Sequence, residues 1–315
     1  MRRVQRGVAL LTALVLMALA ATIAVTIGFS SGLTAKRSAA VFSVEQGVQF
    51  AAGAEALAAY VLHEDRNVDL DLPTDPWAQV VGPVEIAPEI ALQAQLRDEQ
   101  ARFNLNTLVD KDGKPDADAV AVFRRLLVLA DLEPRWAELV VDWIDADDQP
   151  DPQGGEDSLF LAQDPGFLAA NETITSVSEL MQLPEFGIER YRKLLPYVAA
   201  LPPTQSQVNV CTASPVVLDA LLALVPNAGN EVEFTRLGTA DFARQREQPA
   251  CFPGKQVLAT RLGQDKAARF LTEGSSYFRL TSNVRIGSTQ FALYSLMYRD
   301  LSKQVRPVLR SFGTE

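Results

Sequence analysis

Histidine is almost missing from this chain. In 315 residues it occurs once, at His63 beside Glu64. One histidine cannot supply a histidine-rich zinc site, and elsewhere in the chain it leaves no Ser/His or Cys/His catalytic pair. Neither a phosphate-cradling G-x-x-x-x-G-K-[ST] loop nor a dinucleotide G-x-G-x-x-G turn is present. Cysteine is scarce too, with only Cys211 and Cys251. Basic residues are outnumbered, 29 against 39 acids, for a net charge of −10. Such a surface suits nucleic acid poorly, because phosphates demand clustered lysine and arginine. Acid pairs such as Asp147 and Asp148 could serve a hydrolase, but they stand in a Pro- and Gly-rich run better suited to a cation. An enzyme is not expected.

The most telling absence is charge near the N-terminus. Residues 1–7 hold Arg2, Arg3 and Arg6 and no acid, and residues 8–29 hold no charged side chain at all. At about 1.5 Å per residue, that run crosses the roughly 30 Å hydrocarbon layer as one helix. The arginines should keep its start in the cytoplasm and put the rest of the chain across the membrane. Three readings fit. Ala18-Leu19-Ala20 matches the cleavage rule of an ordinary signal peptide. The run could also be a plain uncleaved anchor. Or Gly7 could end a short basic leader of the type IV prepilin class, cut between Gly7 and Val8 so that the apolar helix stays. That leader resembles the class except at Thr12, where most pilins carry glutamate.

Periodicity beyond the apolar run favours the third reading. Val41, Val44, Val48, Ala51, Ala52, Glu55, Ala58 and Leu62 recur at spacings of three and four, and alanine is a strong helix former. One helix is expected over about 8–63, apolar all round in its first half and amphipathic in its second.

Downstream, 79–86 and 89–97 read as strands, and 101–106 as a third. Residues 277–286 and 290–298 flank Gly287-Ser288 and read as a hairpin. Helical patterns fill the interval: 118–131, 133–144, a helix–turn–helix over 178–198, and 214–224. The expected fold class is therefore α+β. A long N-terminal helix packs on a small antiparallel sheet, and a large all-helical domain is inserted.

Within that interval, 142–157 is the most chemically loaded stretch. Seven carboxylates stand in sixteen residues with no Lys, Arg or His among them. Their repulsion is answered either by solvation or by calcium, a hard cation taking six to eight oxygens. The spacing is not that of an EF-hand, and the pattern alone leaves both answers open. The two cysteines lie in the part expected outside the cytoplasm, where a disulfide is permitted, and a Cys211–Cys251 bond is expected.

Several motifs occur together and in order: Asp98-Glu99-Gln100, Phe103-Asn104-Leu105-Asn106, Asp142-Trp143-Ile144-Asp145, Gly154-Gly155-Glu156-Asp157, Ser176-Val177-Ser178-Glu179-Leu180 and Val208-Asn209-Val210-Cys211-Thr212-Ala213-Ser214. With the leader lacking glutamate, they resemble the K-type minor pseudopilins of bacterial type II secretion. The resemblance implies a leader at 1–7, a membrane helix at 8–29 and a periplasmic half-helix at 30–64. It implies a pilin-like αβ domain at 65–106 and 276–303, with helix-hairpin-helix-like modules inserted at 107–275. It also implies calcium held by Asp145, Asp147, Asp148, Glu156 and Asp157, with Asp142 beside them. A prepilin peptidase would cut after Gly7 and methylate Val8. Partners would be the I and J types, then the H type, and the major pseudopilin, in an inner-membrane protein whose bulk is periplasmic. At the tip of a pseudopilus no subunit lies above to pair with a buried glutamate, so Thr12 is tolerable there. Where the family commonly has asparagine, this chain has Cys211. An alternative, a membrane-anchored DNA-uptake protein, rests on the helix–turn–helix over 178–198 and on 209–214. Glu189 in its turn and the acidic balance oppose it.

Overall fold

In the computed structural model, which describes residues 5–226, 229, 232–247 and 250–313, a single helix dominates one end. This is α1, Gln5–His63. Residues 1–4 of the expected leader lie outside the described residues. The first half of α1 is exposed all round, with an apolar window of mean hydropathy 2.6 that is long enough to cross a membrane. Thr12, Thr22, Thr26 and Ser30 return their hydroxyls to backbone carbonyls one turn back, which satisfies those donors within the helix. Burial starts at Gly47 and then follows Ala51, Ala54, Glu55, Ala58 and Leu62. Val41, Val44 and Ala52, expected on that face, are exposed, and Ala54 joins it.

This face lies on a five-stranded sheet ordered β1-β2-β7-β8-β9, antiparallel throughout. Its strands are β1, Val81–Ala87; β2, Ile90–Asp98; β7, Tyr277–Ile286; β8, Thr289–Arg299; and β9, Val305–Phe312. Along β7, Phe278, Leu280, Ser282 and Val284 point inward in strict alternation. Phe278 and Leu280 meet Ala58, Leu62, Trp77, Leu96 and Met297, and Val284 meets Ala51, Ile90 and Leu293. The tight turn after β7 falls at Gly287, whose φ of 58° glycine adopts without strain.

Between β2 and β7 lies the insertion, built on one large core. Its helices are α2, Ala117–Leu129; α3, Trp136–Ile144; α4, Asp157–Leu161; α5, Gly187–Leu194; α6, Pro215–Leu221; α7, Thr239–Arg246; α8, Lys255–Leu262; and α9, Gln264–Phe270. Asp116 caps α2 and Ser214 caps α6, each accepting a backbone N–H of the first turn. Phe103 stacks on Phe123 at 5.8 Å, and Trp136 meets Phe186 edge-on at 5.2 Å.

Four expectations need correction. The stretch 101–106 is no third strand of the sheet. Only β3, Phe103–Asn104, is extended, and it pairs in parallel with β4, Val198–Ala199, inside the insertion. The insertion is not purely helical, since β5, Val208–Asn209, also pairs in parallel with β6, Leu271–Thr272. The first arm of the helix–turn–helix is a 3-10 segment, Val177–Gln182, with Ser176 and Glu179 forming a capping box. Finally, the αβ domain does not end at 303, because β9 adds a fifth strand beyond it.

Candidate metal centre

α3 delivers the acidic loop. Eight of its nine residues are buried, so the helix is locked in the core and its last turn is fixed. Asp142 lies on that turn, fully buried, and Asp145 follows as the C-cap residue. The chain then loops out through exposed Asp147 and Asp148 and returns through Gly154-Gly155 to Glu156, where α4 begins. The glycines make the return possible. A β-carbon at Gly154 would strike the Asp142 carboxylate, and one at Gly155 would strike Leu159. Trp143 packs on Phe160 at 4.9 Å and pins both ends of the loop together.

Three of the six expected ligand residues are thereby buried in one place. Asp142 Oδ2 accepts the amides of Asp151, at 3.0 Å, and Gly155, at 2.7 Å. Its Oδ1 has no hydrogen-bond partner, and neither have Asp145 Oδ1 or both oxygens of Glu156. A buried carboxylate oxygen without a donor is costly, and this loop holds four of them. Burial is the main reason that all three acids are pushed up, Asp142 to about 6 and Asp145 and Glu156 to about 7, with mutual repulsion adding to it. Asp147 and Asp148 stand at the exposed rim. The first accepts the amide of Gln149 at 2.8 Å and the second the side chain of Asn171 at 3.3 Å. Asp157 Oδ1 is engaged by the amide of Ala169 at 3.0 Å.

Sequence reasoning overlooked Asn171. Its amide bonds Trp143 O at 3.0 Å, its side chain reaches Asp148, and its own Oδ1 is buried without a partner. Its positive φ, 46°, is tolerated by asparagine, but nothing local in the sequence marks it. The donor set is all oxygen, which fits a hard divalent cation such as calcium.

The other motifs serve as latches. Asn106 donates to Ile174 O and Leu201 O and accepts from Ile174 N, each at 2.8 Å. Buried Asp98 accepts from Gln100 N, Asn209, Thr212 and Ser275, joining the sheet to the insertion. Cys211 and Cys251 are bonded, S–S 2.03 Å. Gly7 and Val8 lie within α1 with no break in the helix.

The comparisons with known proteins agree on one family. A model of type II secretion system protein K matches residues 101–203. The type II secretion system protein K of Pseudomonas aeruginosa is 33% identical over 329 residues, spanning 99% of this chain and 94% of that protein. The chain belongs to the type II secretion system protein K family. The Klebsiella pneumoniae protein K is also 33% identical, over 94% of this chain and 93% of its own. A chain in the crystal structure of the GspK-GspI-GspJ complex of enterotoxigenic Escherichia coli superposes with a TM-score of 0.68 at 27% identity. The match covers 89% of this protein and 100% of that chain. These relatives support a role in secretion and give none to the DNA-uptake alternative.

Proposed function

We propose that this protein K is a minor pseudopilin, joining I- and J-type minor pseudopilins, then the H type and the major pseudopilin, at the tip of a periplasmic pseudopilus. The observation that carries the reading is the fit, over 89% of this chain, to a chain solved in a GspK-GspI-GspJ complex. The role is mechanical rather than catalytic. The apolar half of α1 anchors the protein in the inner membrane, and the helical insertion is held clear of the membrane on the sheet. Processing after Gly7 by a prepilin peptidase, with methylation of Val8, leaves α1 whole. Small residues such as Ala18, Ala20, Ala21, Ala24 and Gly28 allow close helix packing in lipid.

Calcium belongs to the same reading. Asp142, Asp145 and Glu156 would hold it, with Asp147, Asp148, Asp157 and Asn171 at the rim. The ion would supply the positive charge that this loop lacks. The side chains then fix the 142–157 loop against α3 and α4.

The deciding experiment is co-purification from membranes of a host carrying its native processing enzyme, with intact mass and N-terminal sequence. A chain starting at methylated Val8 and bound to I- and J-type partners supports the reading. A chain starting near Ala21 and free of them refutes it.

A further inference from the structure

The two bonded cysteines differ in what can reach them. Cys211 is fully buried in the core of the insertion. Cys251 packs against that core but is only half-buried, on the loop between α7 and α8. Other contacts hold the two opposed without help from the S–S bond. Arg246, the last residue of α7, donates from Nε to Phe252 O and from Nη2 to Val210 O, both at 2.8 Å. One guanidinium thus ties together the chain neighbours of both cysteines. Phe252 also meets Phe242 edge-on at 5.7 Å, which seats the Cys251 loop on α7.

Glu273 is the third member of the group. One of its carboxylate oxygens lies within 4.8 Å of both sulfurs. It stands just after β6, half-buried, and its Oε1 accepts the Lys255 amide at 2.7 Å where α8 begins. That bond fixes the carboxylate and leaves it acceptor capacity to spare. A thiol in apolar surroundings ionises reluctantly, and only the thiolate attacks a disulfide. Cys211, buried as it is, therefore needs a base beside it, and Glu273 is placed to be one, directly or through one water.

We propose that Cys251, Cys211 and Glu273 form a thiol–disulfide exchange site, through which an external thiol oxidoreductase in its disulfide form closes the Cys211–Cys251 bond in the folded insertion. Cys251 is the entry sulfur. Its thiolate attacks one sulfur of the oxidoreductase's disulfide; that bond breaks, the other sulfur leaves as a thiolate, and a mixed disulfide forms on Cys251 Sγ. Glu273 then takes the proton of Cys211. The Cys211 thiolate attacks Cys251 Sγ, and the mixed bond breaks. Two electrons pass from the cysteine pair to the oxidoreductase, which leaves as its dithiol; the two protons reach it through Glu273 and solvent. Arg246 is a positioning residue that keeps the resolving sulfur in line during the second step.

The test uses full-length protein in detergent, reduced with dithiothreitol without denaturant, freed of it, and reoxidised with glutathione disulfide. Quenched samples are mapped by mass. A glutathione adduct should appear first on Cys251 and then give way to the closed bond. Cys211→Ala should accumulate the adduct on Cys251, whereas Cys251→Ala should leave Cys211 unmodified. Glu273→Gln keeps an acceptor for the Lys255 amide. It should form the adduct at the wild-type rate but close it about a hundredfold more slowly at neutral pH. Its closure should then quicken about tenfold per pH unit, as a thiol without a base must, while wild type responds less steeply. Glu273→Asp should restore part of the rate. The pH profile and this rescue separate a base from a merely structural acid. In wild-type protein alone, equal adducts on both cysteines, or a bond that dithiothreitol does not open in the folded chain, overturn the proposal. Closure in Glu273→Gln at the wild-type rate overturns the role of the acid.

Discussion

Both arms of the Arg310 guanidinium close on Glu55, Nε at 2.8 Å and Nη2 at 2.7 Å, so the last strand of the sheet is bolted to the spine helix. Ser295 on β8 adds a third hydrogen bond at 2.7 Å. Glu55 is buried on a face otherwise made of alanine and leucine. The bond from Arg310, opposed by burial and helped by Ser295, holds its acid below the ordinary 4.5. A depressed folded value means stability that is present above 4.5 and lost as pH falls through the folded value. Arg310→Gln should therefore lower the melting temperature at neutral pH. The gap to wild type should close as pH drops below 4.5. Melts across a pH series check this, and a gap that stays constant into acid would refute the pairing as its cause.

Two glycines on α1 should respond oppositely to the same change. A β-carbon at Gly47 would lie 2.5 Å from the Phe291 ring on β8, whereas one at Gly53 would meet nothing within 4 Å. Gly53→Ala gains helix propensity alone, up to about 1 kcal/mol. Gly47→Ala must push the ring aside, and overpacking of that kind costs about 1–3 kcal/mol before the propensity gain is subtracted. Denaturant melts of the two variants should move in opposite directions.

The spine helix was legible because two simple signals agree along it, a charge-free run and then alanines at helical spacing. The β7–β8 hairpin was legible for the same reason, with strict alternation around Gly287. β9 was missed because it is an edge strand. Arg306, Pro307 and Arg310 interrupt its apolar residues, and none of its side chains is fully buried. Residues 101–106 misled for the opposite reason. Phe103 and Leu105 alternate like a strand, but Asn104 and Asn106 are buried as well and bond loops that only the fold brings near. The acidic loop could be seen from its charge. That Asp142, Asp145 and Glu156 turn inward while Asp147 and Asp148 stay at the rim depends on the Gly154-Gly155 return and on how α3 is seated. The pairing of Asp65 and Asp71 with Arg299 was invisible, because the arginine lies more than two hundred residues away in sequence.

The Cys211–Cys251 bond closes a 40-residue separation around α6 and α7. Loop-closure entropy assigns such a crosslink about 4 kcal/mol. The double variant Cys211→Ser, Cys251→Ser should lose about that much in a urea titration. The loss should fall on the insertion, which holds both residues, and leave the α1–sheet contacts in place. Hydrogen exchange resolves the two regions. Equal loss of protection in β7 and in α6 would show that the two parts unfold as one.

The 142–157 loop predicts an inverted pH response when divalent ions are removed. Asp142, raised from 3.8 to about 6, and Asp145 and Glu156, raised from 3.8 and 4.5 to about 7, bind protons more tightly when folded than when unfolded. Raised carboxyls contribute stability that is full below their ordinary values and is lost as pH climbs through the folded ones. Chelated protein should therefore become less stable between about pH 4 and pH 7, opposite to the trend that Glu55 imposes below 4.5. Calcium must displace those protons, so its affinity should weaken as pH falls from about 7 towards 6. At neutral pH, chelation should lower the melting temperature, and the drop should shrink in acid. Asp145→Asn, which removes one buried charge, should leave chelated protein more stable at neutral pH than chelated wild type, while binding calcium more weakly. Paired melts with calcium and with chelator, run at three pH values, read all of these at once. A melting temperature indifferent to chelator throughout would remove calcium from the loop and leave its buried acids to protons alone.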